Sequence, residues 1–288
     1  MLKQTTYQDT RPTLTLVPTP IGNLADITAR AITTLKEADI VFAEDTRHTG
    51  SLFRHFSIDT PLESLHEHNE RAKTARVIEA LTKGLACALV SDAGTPLLSD
   101  PGADVVRAVI DAGYAVSALP GPSAAITALV ASGLPVEPHV FYGFLPSKAG
   151  ARAKALSTLR EMPYTMVFYE APHRIQATID AMKDAFGNRR LVIARELSKR
   201  YETYVRTTLY EATTLDGLKG EIVVLVEGAA ENDEALEGTD VVAHIQLLIA
   251  DGHSEMDAIK RAAKSRKISK NDAYMAYHTA KKDLERKE

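Results

Sequence analysis

The stretch ACALVSDAGTPLLSDPG, residues 86–102, joins a short apolar run to a loop rich in glycine, proline, serine and aspartate. A helix-like sequence, ADVVRAVI, follows it at 103–110. Strand-to-helix connections usually need only about two to six residues. The longer loop at 91–102 therefore predicts a segment that wraps around a ligand. The structural alternative is a well-capped loop without a ligand, in which Asp100 caps the following helix.

Short apolar runs alternate with helix-period stretches on both sides of this loop. Strands separated by helices indicate an α/β fold with a largely parallel sheet. We expect a first α/β domain over residues 12–120. Its predicted strands are residues 13–17, 39–43, 86–90 and 115–119.

The second half of the chain has a different rhythm, because little helical sequence separates its last three apolar runs. Strands joined by short connections pair antiparallel. We therefore predict a second α/β domain with a mixed sheet over residues 121–229. Its predicted strands are residues 139–144, 165–169, 191–195, 202–207 and 221–226.

The C-terminal part differs in composition from the rest. The small and acidic segment AAENDEALEGTD, at 229–240, predicts a linker to a helical module at 241–288. After a first apolar helix, the patterns SEMD and SKND predict the starts of two more helices, each capped by its serine. From His253 onward there are ten Lys and Arg against six Asp and Glu, whereas the preceding 252 residues carry 24 against 32. The overall net charge of −4 thus conceals a basic module. The alternative interpretation is that its Lys and Arg side chains only form a solvated helix face.

Composition and absent motifs exclude several classes of protein. The sequence is 45% hydrophobic and 25% charged, as in ordinary globular proteins. Its one cysteine, Cys87, allows no disulfide framework, and no apolar stretch has the length of a signal peptide core or a membrane span. We therefore expect a cytoplasmic protein without membrane contact.

Common ligand-binding motifs are also missing from the sequence. It contains no G-x-G-x-x-G, no G-x-x-x-x-G-K-[ST], no G-x-S-x-G, no H-E-x-x-H and no paired C-x-x-C. No third ligand accompanies Asp92 and Asp100 at a useful spacing, so no metal is expected. A ligand of this fold is not expected to be held mainly through a diphosphate.

Clusters of proline, glycine, small or charged residues follow nearly every predicted strand. In open α/β sheets, ligands bind at the carboxyl ends of the strands. These clusters are therefore expected to line a common cleft. They are PTPIGNLADIT (18–28), AEDTRHTG (43–50), SDAGTPLLSDPG (91–102), PGPSAA (120–125), FYEAPHR (168–174) and ARELSKR (194–200).

Taken together, these six blocks resemble the ribosomal RNA small-subunit methyltransferase I family of the tetrapyrrole-methylase superfamily. The resemblance extends from about residue 12 to the C-terminus. It implies two α/β domains with S-adenosylmethionine in the cleft between them, and a homodimer. The activity that it implies is 2′-O-methylation of a cytidine ribose in small-subunit ribosomal RNA.

The resemblance also assigns cofactor neighbours. It places the loop at 91–102 against the methionine half of S-adenosylmethionine, where Gly94 would permit close backbone approach. Ser123 is alternatively only the N-cap of the following helix. The implied cofactor neighbours are Ile21, Gly94, Thr95, Leu98, Ser123, Ala124, Tyr169, Glu196 and Glu221.

Transfer of a methyl group to a ribose hydroxyl needs alignment of the reactants and is helped by a proton acceptor. Release of the proton to water is the alternative. The structural alternatives to a functional role are that residues 44–48 form a surface ion-pair cluster and that His173 only begins a helix. The candidate proton acceptors are Glu44, Asp45, Glu170 and His173. Because cationic groups bind phosphate, the candidate RNA contacts are Arg47, Arg174, Lys264, Arg266, Lys267 and Lys270.

Three other functions remain open at this stage. A tetrapyrrole methyltransferase would need neither the basic module nor the AEDTR block. A non-catalytic RNA-binding ribosome-assembly factor would bind the cofactor without turnover. A nucleotide or sugar-phosphate kinase is disfavoured because the sequence has no phosphate-binding loop.

Overall fold

The computed structural model describes residues 4, 11–213, 220–229, 240–250, 254–266 and 268–285. The chain divides into two units, residues 1–228 and residues 229–288. The first unit contains both sheets that the sequence predicts, and the second contains the basic module.

The first sheet contains five strands in the order β3-β2-β4-β1-β5, and all four pairings between them are parallel. The predicted parallel sheet is thus confirmed. The sequence reading missed β3, a three-residue, half-buried edge strand. The strands are β1 Thr13–Leu16, β2 Ile40–Ala43, β3 Leu62–Ser64, β4 Cys87–Val90 and β5 Ala115–Ala118.

Helices cover both faces of this sheet, because alternate strand residues point to opposite sides. The helices α1 Ala29–Glu37 and α2 Thr46–Phe56 pack on one face, and α3 Glu70–Thr82 and α4 Ala103–Asp111 pack on the other. The central strands β2 and β4 are buried at every residue. Burial between two helical layers explains their continuous apolar sequences.

The second sheet has the order β6-β7-β10-β8-β9. Only β6 and β7 are parallel, and the other three pairings are antiparallel, so the predicted mixed sheet is confirmed. The strands are β6 His139–Phe144, β7 Thr165–Glu170, β8 Arg190–Arg195, β9 Thr203–Thr208 and β10 Ile222–Val226.

Helices also cover both faces of the second sheet. The helix α5, Ala124–Ser132, packs on the face that includes Phe141 and Tyr169. The helices α6, Ala149–Thr158, and α7, Ile175–Phe186, pack on the opposite face.

The second unit contains three helices, as predicted: α8 Val241–Ala250, α9 Glu255–Ser265 and α10 Lys270–Glu285. The Ser254 and Ser269 hydroxyls accept hydrogen bonds from the backbone N–H groups of Asp257 (3.3 Å) and Asp272 (3.0 Å). The two predicted caps are therefore present, and they satisfy N–H groups that the helices leave unpaired. Alanine and isoleucine side chains and Tyr277 form the unit's own apolar core. Residues 230–239, most of the predicted linker, lie outside the described residues.

No described helix is both long enough and apolar enough to cross a membrane.

Candidate active site

A cavity of about 420 Å³ lies where the loops after the strands of the first sheet meet one edge of the second sheet. This volume falls within the range of small-molecule sites, about 300–1,000 Å³. Loops after β1, β2, β4 and β5 contribute to it, because parallel strands end at one edge of a sheet. The second sheet contributes the ends of β6 and β7 and the start of β10, which runs antiparallel to β7. The sequence-predicted site residues in its lining are Ile21, Glu44, Gly94, Thr95, Leu98, Ser123, Ala124, Tyr169, Glu170 and Glu221.

The loop at 91–102 lines the cavity from Asp92 to Asp100. Backbone hydrogen bonds of 2.9 and 3.0 Å pair Thr19 with Gly94 and tie this loop to the loop after β1. Leu97 and Ser99 adopt left-handed φ angles of +73°, which non-glycine residues rarely adopt. Such strain accumulates at ligand sites, where the surrounding structure enforces it.

The alternative role of Asp100 as a helix cap is not what the structure shows. Helix α4 has Gly102 at its N-cap, with no side-chain cap. The Gly102 N–H instead donates to Glu70 Oε1, at 3.0 Å. Asp100 is therefore free to face the cavity.

The segment at 120–124 brings an unsatisfied polar atom to the cavity. Thr95 Oγ1 donates to the carbonyl oxygen of Pro122, at 2.9 Å, and so joins this segment to the loop at 91–102. Ser123 stands at the N-cap of α5 but makes no capping hydrogen bond. Its Oγ is buried and has no hydrogen-bond partner among the described residues. A buried hydroxyl without a partner is costly, so its position in the lining indicates a polar ligand.

Two acidic side chains in the lining have raised pKa values. Burial raises the pKa of Glu44, and the charges of Asp100 and Asp92 raise it further. Burial also raises the pKa of Asp100, whose carboxylate accepts a hydrogen bond from Ser91. Ionisable groups with pKa values shifted by burial and like charge, in a cleft, are typical of catalytic sites.

Asp45 and Arg47 lie outside the lining and contact each other. Asp45 caps α2 by accepting from the Arg47 backbone N–H at 2.8 Å, and it also accepts from the Arg47 guanidinium at 2.8 Å. The guanidinium holds the pKa of Asp45 well below its usual range, which makes this carboxylate a poor proton acceptor. The Arg47 side chain is 90% exposed and so is accessible to a macromolecule.

Glu170 lines the cavity, but partners within the protein occupy its carboxylate. Oε1 accepts from the Ala171 backbone N–H at 2.8 Å, and Oε2 accepts from Thr178 Oγ1 at 2.5 Å. Arg174 Nε lies 3.2 Å from Oε1, and Arg174 Nη2 donates to the carbonyl oxygen of Leu145 at 2.8 Å. Glu170 and Arg174 thus form a buried structural pair. His173 is exposed in the turn before α7 and is not part of the lining.

Of the two predicted cofactor neighbours Glu196 and Glu221, one lines the cavity and the other supports it from behind. Lys199 Nζ bridges the two carboxylates, 2.9 Å from Glu196 and 3.3 Å from Glu221. The same ammonium lowers the pKa of Glu196. Only Glu221 lines the cavity, while Glu196 lies behind it and pairs with its backbone.

The predicted RNA contacts of the second unit are only partly described. Lys270 is exposed at the start of α10, and Arg266 Nε donates to His244 Nδ1 at 3.3 Å within the unit. Lys267 and the side chain of Lys264 lie outside the described residues. Among the residues that the structure describes, no three His, Cys, Asp or Glu side chains are grouped to hold a metal ion.

Sequence reasoning assigned no cofactor or catalytic role to several residues of the lining. Asp92, Ser99 and Asp100 belong to the loop that the sequence singled out, but only metal binding and helix capping were considered for the aspartates. Phe144 was not among the candidate site residues, although its place at the end of a strand was a usable signal. The remaining residues of the lining are Ala93, Ala171, Pro172, Gly220 and Ile222.

Solved structures with a similar fold include a uroporphyrin methyltransferase and a diphthine synthase. Uroporphyrin-III-C-methyltransferase from Thermus thermophilus is 20% identical, with a TM-score of 0.56 over 75% of this chain and 94% of that one. A diphthine synthase is 15% identical, with a TM-score of 0.56 over 75% of this chain and 90% of that one. At these identities the likeness establishes the fold alone.

Sequence similarity is closer and covers more of the chain. Residues 13–213 match the family model described as Tetrapyrrole (Corrin/Porphyrin) Methylases. Proteins named ribosomal RNA small subunit methyltransferase I are 46% identical in Streptococcus pyogenes serotype M1 and 47% identical in Halalkalibacterium halodurans, each over 96% of this chain and 99% of the relative. The Bacillus subtilis protein of that name is 44% identical over 92% of this chain and 94% of its own length. The chain therefore belongs to the ribosomal RNA small subunit methyltransferase I family, within the tetrapyrrole methylases.

Proposed function

We propose that this protein transfers the methyl group of S-adenosylmethionine to the 2′-oxygen of a cytidine ribose in small-subunit ribosomal RNA, acting as a cytoplasmic homodimer. The observation that carries the choice of RNA is the extent of the similarity. Relatives named for ribosomal RNA match 96% of the chain, including the basic second unit, whereas a uroporphyrin methyltransferase matches 75%. The basic module suits a polyanion.

The residues of the cavity fit S-adenosylmethionine. Gly94 has no side chain to obstruct close approach, and the unpartnered Ser123 Oγ offers a hydrogen bond. The N-terminus of α5, next to Ser123, favours a carboxylate. When bound, S-adenosylmethionine supplies a methyl group already activated by its sulfonium. These residues would hold its methionine half.

The protein's part in the reaction is alignment and removal of a proton. Alignment of the ribose hydroxyl with the methyl group can supply about 7–11 kcal/mol of the barrier reduction. Among the four candidate acceptors, Glu44 combines a place in the lining with a raised pKa. We assign it the role of taking the proton of the 2′-hydroxyl, worth about 10²–10⁴-fold in rate.

The proton acceptor should reveal itself in the pH dependence of methylation. Glu44 must be ionised to act, so activity should fall on the acid side through a pKa above the ordinary glutamate value of 4.5. The Asp100→Asn variant removes a negative charge that raises this pKa, so the acid limb should move to lower pH. Glu44→Gln should lower the methylation rate about 100-fold with S-adenosylmethionine affinity retained.

The control is Glu37→Gln on the exposed surface of α1, which should change neither the rate nor the profile. If Glu44→Gln kept the full rate, the proton would leave by another route, such as water. If Asp100→Asn left the acid limb in place, Glu44 would not be the titrating group.

The two candidate arginines of the first unit should behave differently. Arg47→Ala removes an exposed cation at the edge of the site, so it should lower methylation of small subunits about 10-fold without changing the melting temperature. Arg174→Ala leaves Glu170 buried without its partner, which costs about 3–5 kcal/mol and should lower the melting temperature by roughly 5–15 °C. Thermal melts and methylation kinetics of the two variants test this; equal melting temperatures would mean that the Glu170–Arg174 pair is not structural.

The direct test of the function uses labelled S-adenosylmethionine and small subunits from cells that lack this protein. We expect label on the ribose 2′-oxygen of a cytidine. Label on a base, or on a tetrapyrrole offered in competition, would reject the proposal. Cofactor binding without any label on RNA would indicate a non-catalytic assembly factor.

A further inference from the structure

We infer that Phe144 is a stacking platform for the base of the nucleotide that is methylated, an inference that rests on the proposed function. Phe144 ends β6 and lines the cavity, yet it is 52% exposed. The Tyr169 ring supports it edge-on, with 5.6 Å between the ring centroids. Tyr169 is itself held by Phe141 on its other side, at 5.1 Å. A large aromatic ring is thus fixed at the mouth of the site with much of its surface in solvent.

An irregularity in β6 aims this ring at the cavity. The register of β6 against β7 shifts between Phe141 and Gly143, so Phe144 pairs with Tyr169. In a regular strand, a period of two would put Phe144 on the face of Tyr142, which contacts Phe168 on the opposite side of the sheet. One extra residue moves the ring to the cavity face. Bulges that re-aim a side chain are common next to active sites.

The neighbouring loop leaves no room for a side chain at this bulge. Gly143 has a φ of +79°, and a Cβ atom at this position would lie 2.7 Å from Ser99 Oγ. Ser99 belongs to the strained part of the loop at 91–102. The two halves of the first unit therefore fit together at this glycine, and the orientation of Phe144 depends on that fit.

The chemistry at the mouth of the cavity favours a base rather than the cofactor. The residues proposed to hold S-adenosylmethionine lie on the loops at 91–102 and 120–124. Thr95 of the first loop is half-buried, and Ile21, on the loop after β1, is buried. A ribose can present its 2′-oxygen inside the cavity only if its nucleotide leaves the RNA stack. Proteins hold such displaced bases by stacking them on aromatic rings. Phe144 offers such a ring beside the cavity.

The first test compares matched variants in methylation of small subunits. Phe144→Ala should raise the KM for small subunits about 10-fold and leave S-adenosylmethionine affinity unchanged in calorimetry. Phe144→Tyr should behave like the wild-type protein, because it keeps the ring. Tyr210→Ala is the matched control: Tyr210 is also 52% exposed but is absent from the lining, so its loss should not change the KM.

The second test removes the base instead of the ring. Small subunits reconstituted on RNA with an abasic ribose at the target position should show the same roughly 10-fold KM increase with the wild-type protein. With Phe144→Ala, removal of the base should cause no further increase, because the two changes delete one contact.

If Phe144→Ala and removal of the base raised the KM independently, so that the two increases multiplied, the inference would be overturned. An unchanged KM in Phe144→Ala would also overturn it. Loss of S-adenosylmethionine affinity in that variant would assign the ring to the cofactor instead. Failure of the proposed function would look different, since the wild-type protein would then leave small-subunit RNA unlabelled.

Discussion

Replacing Gly94 by valine is expected to abolish S-adenosylmethionine binding while the protein stays folded. The backbone of Gly94 is fixed by its hydrogen bonds to Thr19 and has a φ of +81°. A Cβ atom there would lie 3.2 Å from Ile21 Cγ2 and 3.6 Å from the Pro122 carbonyl oxygen. A branched side chain would push apart the loops that line the cavity, where the cofactor needs close backbone approach.

The loss of binding should be at least about 100-fold in calorimetry, whereas the stability loss should be moderate. A β-branched residue in a left-handed conformation costs about 1–3 kcal/mol. The free energy of unfolding of native domains is about 5–15 kcal/mol, so the variant should still melt cooperatively.

Gly84 supplies the control for strain. It has the same φ of +81°, but nothing lies within 4 Å of its Cβ position and it is not part of the cavity lining. Gly84→Val should therefore suffer the backbone strain and keep its S-adenosylmethionine affinity. Unchanged affinity in Gly94→Val would refute the placement of the cofactor against the loop at 91–102.

Ending the chain after Gly228 is expected to leave a folded protein that binds S-adenosylmethionine but loses more than about 99% of its methylation of small subunits. Each of the two units has its own apolar core, so the first should fold without the second. Among the described residues, the cavity lining contains none beyond Ile222. Cofactor affinity should therefore change by less than about threefold, as calorimetry can establish.

The expected loss of activity follows from charge. The 24 Lys and Arg of residues 1–228 are outweighed by 26 Asp and Glu, so the shortened protein has no net positive charge with which to attract RNA. The basic excess lies from His253 onward. If three or four of its side chains contact phosphates, RNA affinity of the full chain should fall with salt at a log–log slope of about −2 to −3 on single strands.

A charge-reversed full-length chain separates RNA binding from packing. Lys264, Lys267 and Lys270 are changed to Glu, and Arg266 is kept because it contacts His244 within the unit. Weaker and less salt-sensitive RNA binding, with the oligomeric state intact, is the expected result. Unchanged RNA affinity across salt concentrations would contradict an RNA-binding role, and a changed oligomeric state would indicate a dimerisation element.

Much of the fold could be predicted from local sequence, because its elements are determined by short-range chemistry. Apolar runs bounded by glycine, proline and charged clusters located every strand except β3, whose three half-buried residues lack such a signal. The serines of SEMD and SKND indicated two helix starts, since a capping serine needs only a backbone N–H group three residues along. The blocks at the strand ends also converge on one cavity, because parallel strands end at one edge.

The sequence by itself thus determined the two sheets, the basic helical unit and the loops around the candidate site. Tertiary structure alone decided what individual side chains do there. Glu44 and Glu170 look equivalent in sequence, but Thr178 and Arg174 occupy the Glu170 carboxylate, whereas burial and the charge of Asp100, from another loop, raise the pKa of Glu44. Phe144 looks like one more aromatic residue of a strand, but the register shift beside Gly143, where no side chain would fit next to Ser99, turns its ring to the cavity. These roles depend on contacts between residues distant in the chain, and no local pattern encodes such contacts.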